Sequence, residues 1–411
     1  MNVTRSVLIV ALLLLGTGAA PVRAAAQSPR TQATGTFGIS AGPGPYISGS
    51  LVPLSISGIT EPFALCVLGI GSIENTIFTA PLVREPSSTT IVGAAQAAIG
   101  LATIAVVPPP SADRRLIAVA SYDNGVALHD PNTFAIVGYA GTGDAPGDVA
   151  FGRDGTIFAP STTGSTLYSF TRDPWRMNET PNVPLGNEVA IDRQTGDIFV
   201  SNRDIGGRGA LTKVTRSGDV SRIDTGETAE GLAIDEHRQI VYVGNVNDAT
   251  VLAVDARSMK PLLRIKTGPR PFGIALDEKE QRLFVVSNAS TAPGGYVAAF
   301  DLGKSATQPA VRSRQFVFPL GAVYDSAHQR VFVTDEAANL VYVLNARTLS
   351  PTHSPLTTCA TPWRPSIDPE RGRLYIPCAR ANRIAVYDLR TLQPLRGSPF
   401  ITGGFPLSVA P

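Results

Sequence analysis

Residues 231–255 read GLAIDEHRQIVYVGNVNDATVLAVD, and this stretch holds the pattern that decides the fold. An apolar alternation ending in Asp235 is followed by a polar turn at 236–239, a second apolar run at 241–243 and a third at 251–254. Short apolar runs separated by polar turns indicate antiparallel strands joined as hairpins. The stretch therefore predicts three consecutive strands, and residues 262–266 supply a less regular fourth.

The second apolar run recurs along the chain. Its seven copies begin at residues 116, 157, 198, 241, 283, 331 and 374, with spacings of 41, 41, 43, 42, 48 and 43. A sheet of four short strands cannot bury both of its faces alone, but sheets stacked around a central axis can bury each other's faces. A repeat of about forty residues is typical of the sheets of such a β-propeller. No 3.6-residue period is present, which argues against helical repeats. We therefore expect an all-β chain in which residues 113–411 form a seven-bladed β-propeller.

Two of the copies carry a recognisable short motif. The second-strand segments Val241-Tyr242-Val243-Gly244-Asn245 and Ile198-Phe199-Val200-Ser201-Asn202 approximate the tetrapeptide Tyr-Val-Thr-Asn. The chain resembles YVTN-type β-propeller repeat proteins over nearly 300 residues, and this resemblance implies the fold while leaving the activity open. The repeats begin on a second strand, and residues 405–411 read as a first strand. We therefore expect the last strand to complete the first blade.

Residues 1–26 have the features of a signal peptide. Arg5 precedes an apolar run at 7–15, and Ala24-Ala25-Ala26 satisfies the small-x-small cleavage pattern. The alternative is a retained anchor, and the run is short for a membrane span. We expect export to the periplasm or the extracellular space, with no stable membrane insertion after cleavage.

Residues 36–107 lack the forty-residue period. Thr76-Ile77-Phe78-Thr79-Ala80-Pro81 and Ala102-Thr103-Ile104-Ala105-Val106-Val107 resemble segments of bacterial immunoglobulin-like domains, which implies a small β-sandwich before the propeller. Residues 108–112 begin with three prolines and form a stiff linker. The alternative places residues 101–107 in the ring as another inner strand.

The charge balance excludes one class of partner. The chain has 35 Lys and Arg against 33 Asp and Glu, and without residues 1–26 the two counts are equal at 33. A neutral chain lacks the basic surface that a phosphate backbone requires, so we expect no nucleic-acid partner. No catalytic residue is predicted, because the sequence has no nucleophile elbow and the histidines fall in turns or at strand ends of different blades, where we expect them to be solvated. These are His129, His237, His328 and His353.

The candidate ligand site lies where the chain enters each first strand. In such propellers the four-to-one and two-to-three loops meet at one end of the ring, which we call the channel mouth. The equivalent entrance positions are Gly147, Asn187, Glu230, Phe272, Leu320, Trp363 and Leu407. We predict that Glu230, Phe272 and Trp363, with Arg270 and Arg364 beside the two rings, bind a ligand that has a polar end and an apolar body. The alternative is that these are solvated loop residues and core aromatics, with the two arginines pairing with Glu230.

A second candidate is a cation site. Asp148, Asn187, Glu188 and Glu230 offer the oxygen ligands that Ca²⁺ or Mg²⁺ prefers. The arrangement faintly resembles propeller lactonases, which place a divalent ion near the central channel, although their full ligand set has no match in this sequence. No other cofactor is expected.

Two functions follow from these observations. The first is an exported, non-catalytic binding or scaffold protein that takes a small ligand or a protein partner at the propeller's top face and channel mouth. The second is a metal-assisted, lactonase-like or lyase-like hydrolytic enzyme at the central channel. The first is favoured because no catalytic constellation is apparent.

Two of the three cysteines are predicted to form a disulfide. Cys359 precedes a first-strand motif and Cys378 ends the following second strand. Residues that pair across the intervening hairpin should have numbers that sum to about 740, and these two sum to 737. Both cysteines therefore lie at the same end of adjacent strands, within bridging reach. Export favours oxidation.

Overall fold

The apolar runs of the sequence form short strands. The computed structural model describes residues 37–59, 63–95, 98–123, 125–203, 208–288, 294–304, 306 and 308–411. These residues divide into two units, one up to Pro108 and one from Pro109 onward. The predicted signal peptide, residues 1–26, lies outside the described residues. Within the described ranges, no helix has the length and apolar character needed to cross a membrane.

The described part of the first unit contains eight strands in two hydrogen-bonded groups of four. Its strands are β1 Gly38–Ala41, β2 Tyr46–Ile47, β3 Leu51–Ser57, β4 Ala64–Leu68, β5 Ser72–Glu74, β6 Ile77–Thr79, β7 Ser87–Ala95 and β8 Ala98–Val107. The strand orders are β1-β3-β6-β5 and β2-β8-β7-β4. Gly93 lets the sheets approach closely, because a Cβ atom there would lie 2.5 Å from side-chain atoms of Ile39 and Phe37. Residues 101–107 belong to β8, which pairs with β7 in this unit.

The second unit contains the repeats. Its first strands in chain order are β9 Ile117–Ser121, β10 Gly125–His129, β11 Ile136–Ala140, β12 Ala150–Phe151, β13 Ile157–Pro160, β14 Thr166–Arg172, β15 Trp175–Pro181, β16 Gly186–Ile191, β17 Ile198–Asn202, β18 Gly209–Val214, β19 Val220–Gly226, β20 Ala229–Asp235, β21 Ile240–Asn245, β22 Thr250–Asp255 and β23 Pro261–Lys266. The remainder are β24 Pro271–Asp277, β25 Arg282–Ser287, β26 Tyr296–Asp301, β27 Val311–Arg312, β28 Pro319–Asp325, β29 Arg330–Asp335, β30 Leu340–Asn345, β31 Leu356–Thr357, β32 Ser366–Asp368, β33 Arg373–Cys378, β34 Arg383–Asp388, β35 Phe400–Ile401 and β36 Pro406–Ala410, with a one-turn 3₁₀-helix at Ala379–Ala381.

These strands form seven groups of four in the described residues. Six groups are consecutive in the chain, β12–β15 through β32–β35, and the remaining group has the order β36-β9-β10-β11. The second, third and fourth strands predicted from residues 241–243, 251–254 and 262–266 correspond to β21, β22 and β23. The innermost strands β12, β16, β20, β24, β28, β32 and β36 contact one another in cyclic order.

The last strand closes the ring. Strand β36 pairs antiparallel with β9, placing Val409 opposite Val119 and Ala410 opposite Ala118. The prediction that residues 405–411 complete the first sheet is therefore confirmed.

Neighbouring sheets bury their apolar faces against each other. One such core contains Phe284 and Val286 of β25 together with Val331 and Val333 of β29, all fully buried. Each sheet thus relies on the next for the burial of its apolar side chains, which is the reason that a single repeat is not stable alone.

Candidate functional site

The entrance to five of the innermost strands carries an irregularity at the predicted register. Pairing with the second strand shifts between Gly186 and Glu188, and a shift recurs at the entrances of β20, β24, β28 and β36. The positions that the ladder skips include Asn187, Glu230, Phe272, Leu320 and Leu407. A bulge frees a residue from the ladder and redirects its side chain. The repeated bulge explains why the aligned entrance residues share one place in the ring.

A buried ion cluster occupies part of this mouth. The Arg364 Nε lies 2.7 Å from Glu188 Oε1, and Nη2 lies 4.0 Å from Glu230 Oε2. Arg364 Nη1 donates to the carbonyl oxygen of Gly147 at 2.8 Å. The side chains of Arg364, Glu188 and Glu230 are 16%, 13% and 6% exposed, so these charges attract each other in a medium that screens them weakly.

The carboxylates of the cluster have further partners. Glu230 accepts a hydrogen bond from Asn187 Nδ2 at 2.5 Å and pairs with Arg203 Nε at 2.6 Å. Glu188 Oε2 accepts from the backbone N–H of Leu232 at 2.8 Å. Both oxygens of each glutamate are therefore engaged within the protein.

Burial changes the protonation of this cluster. Burial raises the pKa of Glu188 to about 8, against the opposing effect of the Arg364 charge. Burial also raises the pKa of Asp148. Burial alone would lower the pKa of Arg364, but Glu188, Asp148 and Glu230 together raise it above its usual value. The guanidinium of Arg364 therefore stays charged. Because the carboxyl groups outnumber the arginines in this cluster, Glu188 tends to retain its proton.

A cavity of about 200 Å³ lies beside the cluster. It is lined by Glu188, Arg203, Glu230, Arg270, Phe272, Gly273, Phe318, Leu320, Glu336, Trp363 and Arg364. The structure thus brings all five predicted ligand-binding residues into one cavity, together with Glu188. Three prominent members of the lining, Arg203, Phe318 and Glu336, were not predicted from the sequence.

Three aromatic side chains also line the cavity. Phe272, Phe318 and Trp363 are each half-buried, whereas Leu320 beside them is buried. The Arg270 guanidinium carbon lies 5.0 Å from the centre of the Phe272 ring, which is cation–π geometry. The arrangement presents apolar rings and a positioned guanidinium to whatever enters the cavity.

No protein-family model matches this chain. An uncharacterised protein called YncE from Salmonella typhi is 26% identical over 257 residues, which are 60% of this chain and 65% of the relative. The protein of the same name from Escherichia coli O157:H7 is 27% identical over 189 residues, 45% of this chain and 48% of the relative. The chain therefore matches less than two thirds of the length of these relatives.

Solved structures share the arrangement of sheets. A functionally unknown protein from Desulfotomaculum acetoxidans superposes with a TM-score of 0.59 at 14% identity, covering 71% of this chain and 98% of that protein. A proposed 6-phosphogluconolactonase from Bacteroides uniformis gives 0.58 at 13% identity, with coverages of 72% and 99%. The chain is a β-propeller protein. Identities this low carry the fold and no activity.

The predicted cation ligands have protein partners in the propeller. Glu188 and Glu230 bind Arg364, while the Asp148 carboxylate accepts backbone N–H groups of Val149 at 2.8 Å and Val189 at 3.0 Å. Among the described residues, no group of three or more His, Cys, Asp or Glu has the geometry of a metal site. As arranged, the set does not fit a cation, because a guanidinium already lies between the two glutamates.

One histidine differs from its predicted environment. His129 was expected to be solvated but is fully buried, with Nδ1 3.0 Å from the carbonyl oxygen of Phe134 and Nε2 2.9 Å from the Thr402 hydroxyl. Burial lowers its pKa. The error arose because the end of a strand in the first sheet is covered by the segment that precedes β36. The residue lies outside the candidate cavity.

The structure contains a disulfide between Cys359 and Cys378, whose Cα atoms are 5.6 Å apart. The disulfide lies next to the segment that carries Trp363. Pro362 forms an isolated antiparallel β-bridge with Cys378, and the Trp363 N–H donates to the Pro377 carbonyl at 2.8 Å. Cys66 is a free, half-buried thiol in the first unit. The disulfide therefore ties one wall of the cavity to the neighbouring strand.

Proposed function

We propose that this protein is a non-catalytic binding protein whose ligand enters the cavity at the channel mouth. The observation that carries the proposal is the contrast between two sets of residues that line the cavity. Glu188 and Glu230 are fully engaged by Arg364, Arg203 and neighbouring polar groups. Phe272, Phe318 and Trp363 remain half-buried, and clustered accessible apolar surface is typical of a binding site.

The proposal also covers the two units of the chain, its compartment and its partner. We interpret the seven sheets as the seven blades of one closed propeller of the YVTN type, and the first unit as an immunoglobulin-like domain. Residues 1–26 act as a signal peptide, and the protein works in the periplasm or outside the cell. Its partner is a small molecule or a protein segment at the top face, and neither nucleic acid nor a membrane is expected to bind.

The alternative is a metal-assisted lactonase-like or lyase-like enzyme at the same mouth. The fold shared with a proposed 6-phosphogluconolactonase is compatible with such an enzyme. Two features disfavour it. Of the carboxylates proposed as metal ligands, those of Glu188 and Glu230 are paired with Arg364, and both oxygens of Glu188 already have protein partners.

Ligand screening with two tryptophan variants tests the proposal. The full-length protein is heated with a panel of small acids, amines, zwitterions, sugars and short peptides, and a raised melting temperature marks binding. Trp363→Ala should abolish the rise for every hit while lowering the ligand-free melting temperature by only a few degrees, because the ring is half-buried. A fully buried core aromatic would instead cost about 3–5 kcal/mol.

Trp175→Ala is the matched control. Trp175 is the only other tryptophan, is also half-buried and lies outside the cavity. This variant should retain every hit. Hits that survive Trp363→Ala would contradict the site, and hydrolysis of a lactone panel that depends on added Ca²⁺ or Mg²⁺ would support the enzyme instead.

A further inference from the structure

Two charged side chains of the cavity remain without an ion-pair partner in the described part of the chain. The ion pairs at this mouth join Arg203 to Glu230 and Arg364 to both Glu188 and Glu230. Arg270 and Glu336 line the same cavity and take part in none of them. Both side chains are half-buried, so the cavity holds one positive and one negative group that protein partners leave available.

The two groups are held by different sheets. Arg270 immediately precedes β24, where its carbonyl accepts the N–H of Asn288 at 3.1 Å and its guanidinium stacks on Phe272. Glu336 immediately follows β29, where its N–H donates to the Phe318 carbonyl at 2.9 Å. The Arg270 charge thus lies over an aromatic ring of the cavity, and the Glu336 backbone is bonded to the backbone of a second aromatic residue of the cavity. A ligand that reaches both would bridge two neighbouring sheets.

We infer that the ligand is a small zwitterion, an α-amino acid with an apolar side chain, whose carboxylate binds Arg270 and whose ammonium group binds Glu336. The apolar side chain then contacts Phe272, Phe318 and Trp363. This inference rests on the binding function proposed above. It adds the chemical class of the ligand and assigns one residue to each of its charges.

The size of the cavity favours a ligand of this kind. Its volume of about 200 Å³ is below the roughly 300–1,000 Å³ of sites for drug-sized molecules. At ~30 Å³ for each water molecule, it corresponds to roughly seven waters. A free amino acid such as leucine suits this volume, whereas a sugar phosphate or a folded partner would fill only its entrance.

The charge pattern also separates a zwitterion from simpler ions. A monocarboxylate would satisfy Arg270 but would leave the half-buried Glu336 beside an apolar group, and a simple amine would do the reverse with Arg270. Leaving a desolvated charge unpaired is costly. Burial raises the pKa of Glu336, against the effect of the Arg380 charge, so a cationic partner would restore its ionised form.

Fluorescence titration of a Trp175→Phe variant provides the test, because Trp363 is then the sole tryptophan of the full-length protein. The probes are L-leucine, N-acetyl-L-leucine, which lacks the ammonium group, and L-leucinamide, which lacks the carboxylate. Leucine should bind at least tenfold more tightly than either derivative.

Two substitutions in the same background assign the charges. Arg270→Gln should weaken leucine and N-acetyl-leucine at least tenfold and leave leucinamide unchanged. Glu336→Gln should weaken leucine and leucinamide and leave N-acetyl-leucine unchanged. Unaltered melting temperatures of the two variants would exclude unfolding as the cause.

The outcomes of these titrations distinguish a failure of the zwitterion assignment from a failure of the proposed binding function. Derivatives that bind as tightly as leucine, or a failure of leucine to bind, would contradict the assignment of a zwitterionic ligand. The binding function would still stand if another compound of the screen bound in a manner that requires Trp363. If no compound required Trp363, both proposals would fall.

Discussion

The guanidinium of Arg364, which lies two residues before the seventh sheet's inner strand, contacts the carboxyl group of Glu188 in the third sheet, with Nε 2.7 Å from Oε1. This pair links sheets that are far apart in the sequence and is part of the polar side of the cavity. Because both side chains are mostly buried, the contribution of the pair depends on each partner retaining the other.

Arg364→Met should therefore destabilise the propeller strongly. Above pH 8, where Glu188 is ionised, removal of the guanidinium leaves Glu188 and Glu230 as buried carboxylates with less compensation, which typically costs about 3–5 kcal/mol. The double variant Arg364→Met/Glu188→Met should recover much of this loss, because both buried charges of the closest pair are then absent. Chemical denaturation of the three proteins measures the coupling. Additive losses would show that the two side chains do not interact.

Glu188 should make stability depend on pH. Its pKa is raised from 4.5 to about 8 in the folded protein, so the folded state holds a proton that the unfolded chain has lost. The resulting stability is fully present below pH 4.5 and is lost as the pH rises toward about 8, with a slope of at most about 1.4 kcal/mol per pH unit. Glu188→Gln should flatten this part of the profile. Melting curves between pH 5 and pH 8.5 provide the measurement, and identical slopes for both proteins would refute the assignment.

Loss of the disulfide should affect stability and the cavity together. The bond closes a loop with a sequence separation of 19 residues, and loops of this length contribute about 3 kcal/mol in the chain-entropy model. Cys359→Ala/Cys378→Ala should lower the unfolding free energy by this amount and weaken ligands that require Trp363. Cys66→Ala is the control, because this thiol is free and should leave both properties unchanged. A double variant as stable as the wild type would contradict the prediction.

The repeat pattern predicted much of the fold and the register of the site. The near-regular spacing of the apolar runs located the second strands, and aligning the entrance residues identified positions of which five lie at register shifts. The same alignment held signals that were not used. Glu336 follows Asp335 as Arg203 follows Asn202, and Phe318 stands two residues before Leu320 as Arg270 stands before Phe272. All four line the cavity.

Side-chain direction could not be read from the pattern. The alignment placed Arg364 beside Trp363 but gave no sign that its guanidinium would reach Glu188 and the Gly147 carbonyl in other sheets. The burial of His129 escaped prediction for a related reason, since its partner Thr402 comes from a distant segment. Contacts of this kind depend on ring closure, which brings together residues that no local period relates.

Ring closure itself provides the last prediction. Strand β36 covers β9, and Val409 is buried opposite Val119. Deletion of residues 405–411 would expose a buried strand edge, so the shortened protein should aggregate or lose its cooperative melting transition. A synthetic peptide with the sequence FPLSVAP, supplied in excess, should restore solubility by adding the missing strand to the edge of β9. A peptide of scrambled sequence should not, because the apolar residues would then face the wrong side of the sheet. Size-exclusion chromatography and melting curves distinguish these cases. A shortened protein that melts like the full chain would show that β36 contributes little to closure.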